Sequence, residues 1–123
     1  MADASKVVLV VEDDPDIREV LEEMLDAGGH KVLTAPNGRE ALAVLDRMSS
    51  PCLVLLDLMM PVMSGFAFLE ELHRRPDRER VNVLLISASA QLEQMARGKR
   101  VVGFVRKPFD LDDVLALVDS HAR

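Results

Sequence analysis

Five short apolar runs alternate with helical segments along this chain of 123 residues. A continuous apolar run predicts a strand buried on both faces, because such a strand has no solvent side where polar residues would alternate. Strands separated by helices predict right-handed crossovers and a parallel sheet covered by helices on both faces. The sequence therefore predicts an α/β fold with strands at residues 7–11, 31–34, 52–56, 81–86 and 101–105.

The helical segments carry start and stop signals. Asp14 can cap the first helix, Pro15 suits its first position, and Gly28 follows its last turn. The second helix is expected to run to about residue 48, where the sequence of residues 49–51 breaks it. The fourth, residues 91–97, is short and has few apolar anchors. Predicted caps of the second, third and fifth helices are Asn37, Ser64 and Asp110.

Composition limits the class of protein. With 49% hydrophobic residues we expect one domain over residues 1–123, with a core from about 6 to 121. The chain has 21 acidic and 15 basic residues, and this negative balance argues against direct nucleic-acid binding. No apolar stretch approaches the roughly 18 to 20 residues that cross a bilayer, and residues 1–6 do not resemble a signal peptide. We therefore expect a cytoplasmic protein with no membrane partner.

Polar residues follow four of the predicted strands. Glu12 and Asp13 come after the first strand, Asp57 after the third, Ser87 after the fourth and Lys107 after the fifth. In doubly wound sheets, ligands bind beyond the carboxyl ends of the strands, where the strand order reverses. With a strand order of 2-1-3-4-5 the first and third strands are neighbours, so Asp13 and Asp57 would face one crevice.

Carboxylates in one crevice favour a divalent cation. Two negative charges about 4 Å apart repel by roughly 4 kcal/mol at an effective dielectric constant near 20, and a cation turns that repulsion into binding. Ligation by oxygen alone suits magnesium better than zinc. Taken singly, Glu12 and Asp13 could be turn or cap residues, Asp57 a loop acid, and Lys107 an exposed lysine. Their shared placement at strand ends favours one site.

Four motifs stand in order along the chain: Glu12-Asp13, residues 57–61 with Gly65, Ser87-Ala88 and Lys107-Pro108-Phe109. This ordered set resembles the receiver domain of two-component response regulators, over residues 7–118. The resemblance implies a flavodoxin-like fold, with a doubly wound five-stranded parallel sheet in the order 2-1-3-4-5 and five helices. It implies a phosphoaccepting signalling domain rather than an enzyme. The phosphoryl donor would be a sensor histidine kinase or a histidine phosphotransfer protein, and the output a downstream protein.

The same resemblance implies the metal ligands and the acceptor. Asp57 would be the phosphoacceptor and would also bind Mg2+ (or Mn2+). Asp13 would bind the ion directly and Glu12 through water. The backbone carbonyl of Met59 would be a further ligand. Carboxylates and carbonyls are the oxygen donors that these ions prefer.

The resemblance also implies a switch. Ser87 and Lys107 would stabilise the phosphoryl group, and Phe104 would fill the space that the Ser87 hydroxyl leaves when it moves inward. The alternative for Phe104 is a permanently buried core ring. The Lys107–Pro108 bond is usually cis in this family, and proline makes that form accessible.

The match is weakest between Ser87 and Lys107. This segment is shorter than the family usually shows, and we predict that it is unusually mobile. It includes the basic run of residues 97–100, which is either a docking patch or a solvated turn. The three histidines, His30, His73 and His121, receive no role.

Other functions stay open at this point. The leading hypothesis is a stand-alone receiver, similar to the single-domain chemotaxis regulators, that signals by protein contact or relays phosphate. The chain could instead be the receiver part of a longer regulator with a DNA-binding or enzymatic output. A magnesium-dependent phosphatase of the haloacid dehalogenase type would also use an aspartate at a strand end. Such enzymes usually carry a second aspartate two residues later, where this chain has Met59. A nucleotide-binding protein of the same fold would need a glycine-rich phosphate loop, which the sequence lacks.

Overall fold

The computed structural model describes residues 7–48, 52–75, 81–95, 97 and 100–122. The strands are β1 (Val7–Val11), β2 (Val32–Ala35), β3 (Cys52–Asp57), β4 (Val81–Ser87) and β5 (Val101–Arg106). The helices are α1 (Pro15–Ala27), α2 (Gly38–Asp46), α3 (Gly65–His73), α4 (Leu92–Met95) and α5 (Leu111–Ala122). All strand pairs are parallel and the sheet order is β2-β1-β3-β4-β5, which confirms the predicted class and order.

Helices cover both faces of the sheet. Successive strand residues point to opposite faces, so a strand covered on both sides needs apolar residues at every position. Val8 packs with the buried residues of α1 and α5. Leu9 packs on the other face, with buried residues of α2, α3 and α4. All residues of β1 and β3 are accordingly buried.

The helix caps are those that the sequence predicts. Asp14 accepts hydrogen bonds from the backbone of residues 16 and 17, Asn37 from residue 40 and Ser64 from residue 67. The Asp110 carboxylate accepts one from the Asp112 N–H group at 3.0 Å. These side chains satisfy N–H groups that the first turn of each helix leaves without partners.

Several predicted boundaries differ from the structure. β2 begins and ends one residue later than expected, and α2 ends at Asp46 rather than near residue 48. The fourth helix is Leu92–Met95 instead of residues 91–97, and Leu92 is its one buried side chain. A segment with so little apolar surface gains little from packing, so the helix is short. The predicted break at 49–51 and Gly98 and Lys99 of the basic run lie outside the described residues.

His30 has a structural role that the sequence did not indicate. It is buried, and its Nε2 atom lies 2.7 Å from Asp119 Oδ1 on α5. This contact joins the loop before β2 to the last helix, at the end of the sheet opposite the strand-end acids.

Among the described residues, no helix combines the length and apolar character that crossing a bilayer requires.

Val62 occupies a backbone conformation that is unfavourable for its side chain. Its φ angle is 69° and the residue is 67% exposed. A left-handed backbone brings Cβ too close to the following carbonyl oxygen, and a β-branched residue tolerates this poorly. Asparagine adopts this conformation more readily, and little burial is lost in the exchange.

We therefore expect Val62→Asn to raise the free energy of unfolding by about 0.5 to 1 kcal/mol, measured by urea denaturation. Val20→Asn is the matched control, because Val20 is also exposed but lies in α1. It should change stability by less than about 0.5 kcal/mol. Equal effects of the two substitutions would contradict the backbone explanation.

Candidate functional site

The carboxyl ends of β1 and β3 bring three carboxylates together. Glu12, Asp13 and Asp57 each offer an oxygen atom, and these atoms all lie within 4.8 Å of one another. Glu12 and Asp57 are buried, at 2% and 4% exposure, whereas Asp13 is exposed. β1 and β3 pair directly, with Val11 opposite Leu56, so the residues that follow them share one edge. The cluster is therefore buried on one side and open to solvent on the other.

Lys107 supplies the counter-charge. Its Nζ atom lies 2.9 Å from Asp57 Oδ2 and 3.0 Å from Glu12 Oε1, and its side chain is 20% exposed. The lysine follows β5, and the Lys107–Pro108 peptide bond is cis. Two buried carboxylates without a cation would be costly, because the protein interior solvates ions poorly.

Burial and hydrogen bonding shift the pKa values of Glu12 and Lys107. Burial raises the pKa of Glu12 above its ordinary value, although the hydrogen bond from Lys107 opposes the rise. Burial alone would lower the pKa of Lys107, but its hydrogen bonds to Asp57 and Glu12 outweigh that effect and raise it. The ammonium group therefore stays charged at neutral pH.

The backbone after Asp57 fixes the orientation of the carboxylate. The Met59 N–H group donates to Asp57 Oδ1 at 3.0 Å, so both oxygens of Asp57 have partners. Gly65 permits α3 to begin directly against the end of β3. A Cβ atom at this position would lie 2.5 Å from the Asp57 carbonyl oxygen. The glycine of the motif is thus required by the close approach of two backbones.

Ser87 and Phe104 lie on the strands beside the acids. Ser87 ends β4, is fully buried, and its Oγ atom accepts a hydrogen bond from the Ser89 N–H group at 3.2 Å. Phe104 is 40% exposed, so the alternative of a permanently buried core ring is wrong. Its ring lines an open groove of about 390 Å³ between α4 and β5, together with Glu93 and Arg97.

Two arginines near the site were missed in the sequence. Arg18 of α1 donates from Nη1 to the Glu12 carbonyl oxygen at 2.9 Å, which ties the helix to the acidic loop. Arg106 donates from Nη1 to the Ser89 carbonyl oxygen at 3.2 Å. The position of Arg106 directly before Lys107 could have indicated that it lies near the site. An arginine at a strand end is ordinarily interpreted as solvent-exposed, however, so nothing in the sequence singled it out.

A family model for the response regulator receiver domain matches residues 8–119. The chain belongs to this family. The receiver domain is 34% identical over 125 residues to the "Probable transcriptional regulator ycf27" of Pyropia yezoensis, with 100% of this chain and 50% of that protein covered. It therefore spans about half the length of that relative.

Two further relatives match almost end to end. An uncharacterised 14.6 kDa protein of Leptolyngbya boryana is 35% identical over 116 residues, covering 93% of the receiver domain and 88% of that protein. The crystal structure of response regulator TrrA from Thermotoga maritima, in complex with Mg(2+)-BeF, has a TM-score of 0.79 and 31% identity. That match covers 94% of the receiver domain and 97% of TrrA. The flavodoxin-like fold is thereby confirmed.

Replacing Lys107 by methionine should destabilise the receiver domain at pH 8 by about 2 kcal/mol, because Glu12 and Asp57 would lose their shared cation. The loss should shrink towards pH 4.5, the ordinary pKa of glutamate. The group concerned is Glu12, whose pKa burial raises in the folded state and which no longer has the opposing hydrogen bond from Lys107 in the variant. Because a raised folded-state pKa means that the folded protein binds protons more readily than the unfolded chain, the stability of the variant falls as the pH rises above 4.5.

Urea denaturation at several pH values measures this effect. The double variant Glu12→Gln with Lys107→Met is the control, since it removes one buried charge along with the cation. It should recover part of the stability at pH 8. A loss that is independent of pH would contradict the electrostatic origin.

Proposed function

We propose that this receiver domain accepts a phosphoryl group on Asp57 from a histidine kinase or a histidine phosphotransfer protein. The observation that carries the proposal is the pairing of a buried aspartate at the end of β3 with Lys107, beside two further carboxylates. Phosphoryl transfer depends mainly on positioning and on neutralising the charge of the transferred group. A fixed carboxylate next to a fixed ammonium group meets both needs.

The charge balance of the site fits a divalent cation. Glu12, Asp13 and Asp57 contribute three negative charges when ionised, and Lys107 contributes one positive charge. The remaining excess of two negative charges, the all-oxygen donor set and the exposure of Asp13 suit magnesium, which keeps several of its waters. Asp13 and Asp57 would hold the ion directly, with Glu12 acting through water. When bound, magnesium neutralises charge on the phosphoryl oxygens.

The protein residues have separate parts in the reaction. An Asp57 carboxylate oxygen forms a bond to phosphorus while the bond from phosphorus to the donor imidazole breaks, and the imidazole nitrogen keeps the electron pair. Lys107 pairs with the negative charge of the phosphoryl group. The Ser87 hydroxyl donates a hydrogen bond to one of its oxygens. The Met59 N–H group already holds one Asp57 oxygen, which leaves the carboxylate in a defined orientation.

Modification would change the conformation through Ser87 and Phe104. A phosphoryl group adds about −1.5 to −2 charges and three acceptor oxygens, which attract the Ser87 hydroxyl. The half-exposed Phe104 ring can then move along its strand face into the space that the hydroxyl leaves. A full change from 1:99 to 99:1 in favour of the active state needs roughly 5.5 kcal/mol of differential stabilisation.

The output is a protein contact rather than catalysis on a small molecule. Met59 stands where a phosphatase of the haloacid dehalogenase type would carry its second aspartate, which disfavours that alternative.

We further propose that the receiver fold occupies residues 1–123 and that the protein works in the cytoplasm. The chain has relatives of both lengths, because it covers 50% of the ycf27 relative and 88% of the Leptolyngbya protein.

Acetyl phosphate with magnesium should add one phosphoryl group to the protein, as measured by intact mass. Asp57→Asn should abolish the adduct, because the amide lacks the nucleophilic carboxylate oxygen. Asp112→Asn, at an exposed position in α5, is the control and should react as wild type does. An adduct that persists in Asp57→Asn would place the acceptor elsewhere.

Magnesium should also raise the unfolding temperature, because the ion binds only the assembled cluster. At a free concentration 100 times the dissociation constant, the gain is about 2.7 kcal/mol. Asp13→Asn should lose most of this gain while keeping a similar stability without the ion, since Asp13 is exposed. Thermal denaturation with and without magnesium measures both quantities. An equal shift in both proteins would exclude Asp13 as a ligand.

A further inference from the structure

Arg106 connects the strand that carries Lys107 to the loop that follows Ser87. Arg106 pairs with Ser87 in the register of β4 and β5. Its Nη1 atom donates to the Ser89 carbonyl oxygen at 3.2 Å, and its Nη2 atom lies 3.5 Å from Glu93 Oε2 on α4. One side chain therefore spans from β5 to both the β4–α4 loop and the fourth helix.

The loop that Arg106 contacts also holds the Ser87 hydroxyl. The Ser89 N–H group donates to Ser87 Oγ at 3.2 Å, while the carbonyl of the same residue accepts from Arg106. If Ser87 turns towards a phosphoryl group on Asp57, the hydrogen bond from Ser89 is lost. Contacts that keep Ser89 in place therefore stabilise the unmodified arrangement.

The same bridge stands at one end of the groove that contains Phe104. Alternate strand residues point to the same face, so Phe104 and Arg106 both face α4. Glu93, the partner of Arg106, also lines the groove. A Phe104 ring that moves from its position opposite Leu85 towards Ser87 approaches the strand position of Arg106, which pairs with Ser87. The short α4 leaves this face open, and the bridge crosses it.

We propose that Arg106 is a positioning residue that acts as a latch, holding the β4–α4 loop in its resting arrangement and opposing the switch. This proposal rests on the proposed phosphoacceptor role of Asp57 and adds its regulation. Both partners are exposed, at 46% and 70% of the side chain, and exposed ion pairs are individually weak. The latch therefore sets the balance between the two states without preventing the change.

Beryllofluoride with magnesium serves as the phosphoryl mimic in the test. Arg106→Ala loses both contacts and should lower the dissociation constant of beryllofluoride about three- to fivefold. Arg106→Lys keeps the charge but cannot bridge both partners, and Glu93→Gln loses only the ion pair, so both should give smaller decreases. Arg39→Ala, at an exposed position on α2, removes the same charge and should bind as wild type does.

A second measurement reads the switch without any ligand. The chain has four phenylalanines, so fluorophenylalanine labelling gives few signals, and Phe104→Leu identifies the one of interest. Fluorine relaxation dispersion at Phe104 reports the minor population, which should rise in Arg106→Ala by the same factor as the affinity. If Arg106 had only a structural role, Arg106→Ala would instead bind beryllofluoride more weakly and have a lower unfolding temperature.

The outcomes separate the two proposals. Equal or weaker beryllofluoride binding by Arg106→Ala, with an unchanged minor population at Phe104, would overturn the latch. Failure of the wild-type protein to bind beryllofluoride would overturn the phosphoacceptor role of Asp57. In that case the ligand-free population at Phe104 still decides whether Arg106 restrains the loop, because this measurement does not depend on the site being filled.

Discussion

Two buried carboxylates at strand ends can exist in this fold because one ammonium group lies between them. Glu12 and Asp57 are nearly inaccessible to water, and Lys107 contacts both. The lysine reaches them only if β5 lies two strands from β3 in a parallel sheet, so that all strand ends meet at one edge. The requirement for charge compensation thus links the strand order to the positions of Glu12, Asp57 and Lys107.

The arrangement leaves the carboxylate cluster incompletely neutralised. One cation offsets part of the charge of three carboxylates, and the proposed divalent ion would balance the remainder. The solvent-exposed Asp13 provides the open side, whereas the buried Glu12 and Asp57 provide the fixed side. Under the proposed function, a phosphoryl group on Asp57 would meet the Lys107 ammonium group and the Ser87 hydroxyl, which the β5 and β4 strands hold near the same edge.

The fourth helix is short and leaves part of β5 exposed. With one buried side chain, α4 covers little of β5, and Phe104 faces an open groove. The exposed ring and the arginine bridge follow from the same shortage of apolar residues. Local sequence thereby determines how much of β5 the fourth helix covers, while the well-packed strands build the carboxylate cluster.

The sequence by itself determined the class and the strand order, and it indicated which carboxylates and which lysine would come together at one edge. Apolar runs, caps such as Asp14 and the glycine at position 65 act over a few residues, so their effects are visible in the local pattern. The exact ends of β2, α2 and α4 were not predictable, because packing decides how far marginal turns extend. Only the tertiary structure showed the contacts of His30 with Asp119 and of Arg106 with Ser89, since these join residues 89 and 17 positions apart. Such contacts depend on how side chains meet across packed elements, which no local pattern records.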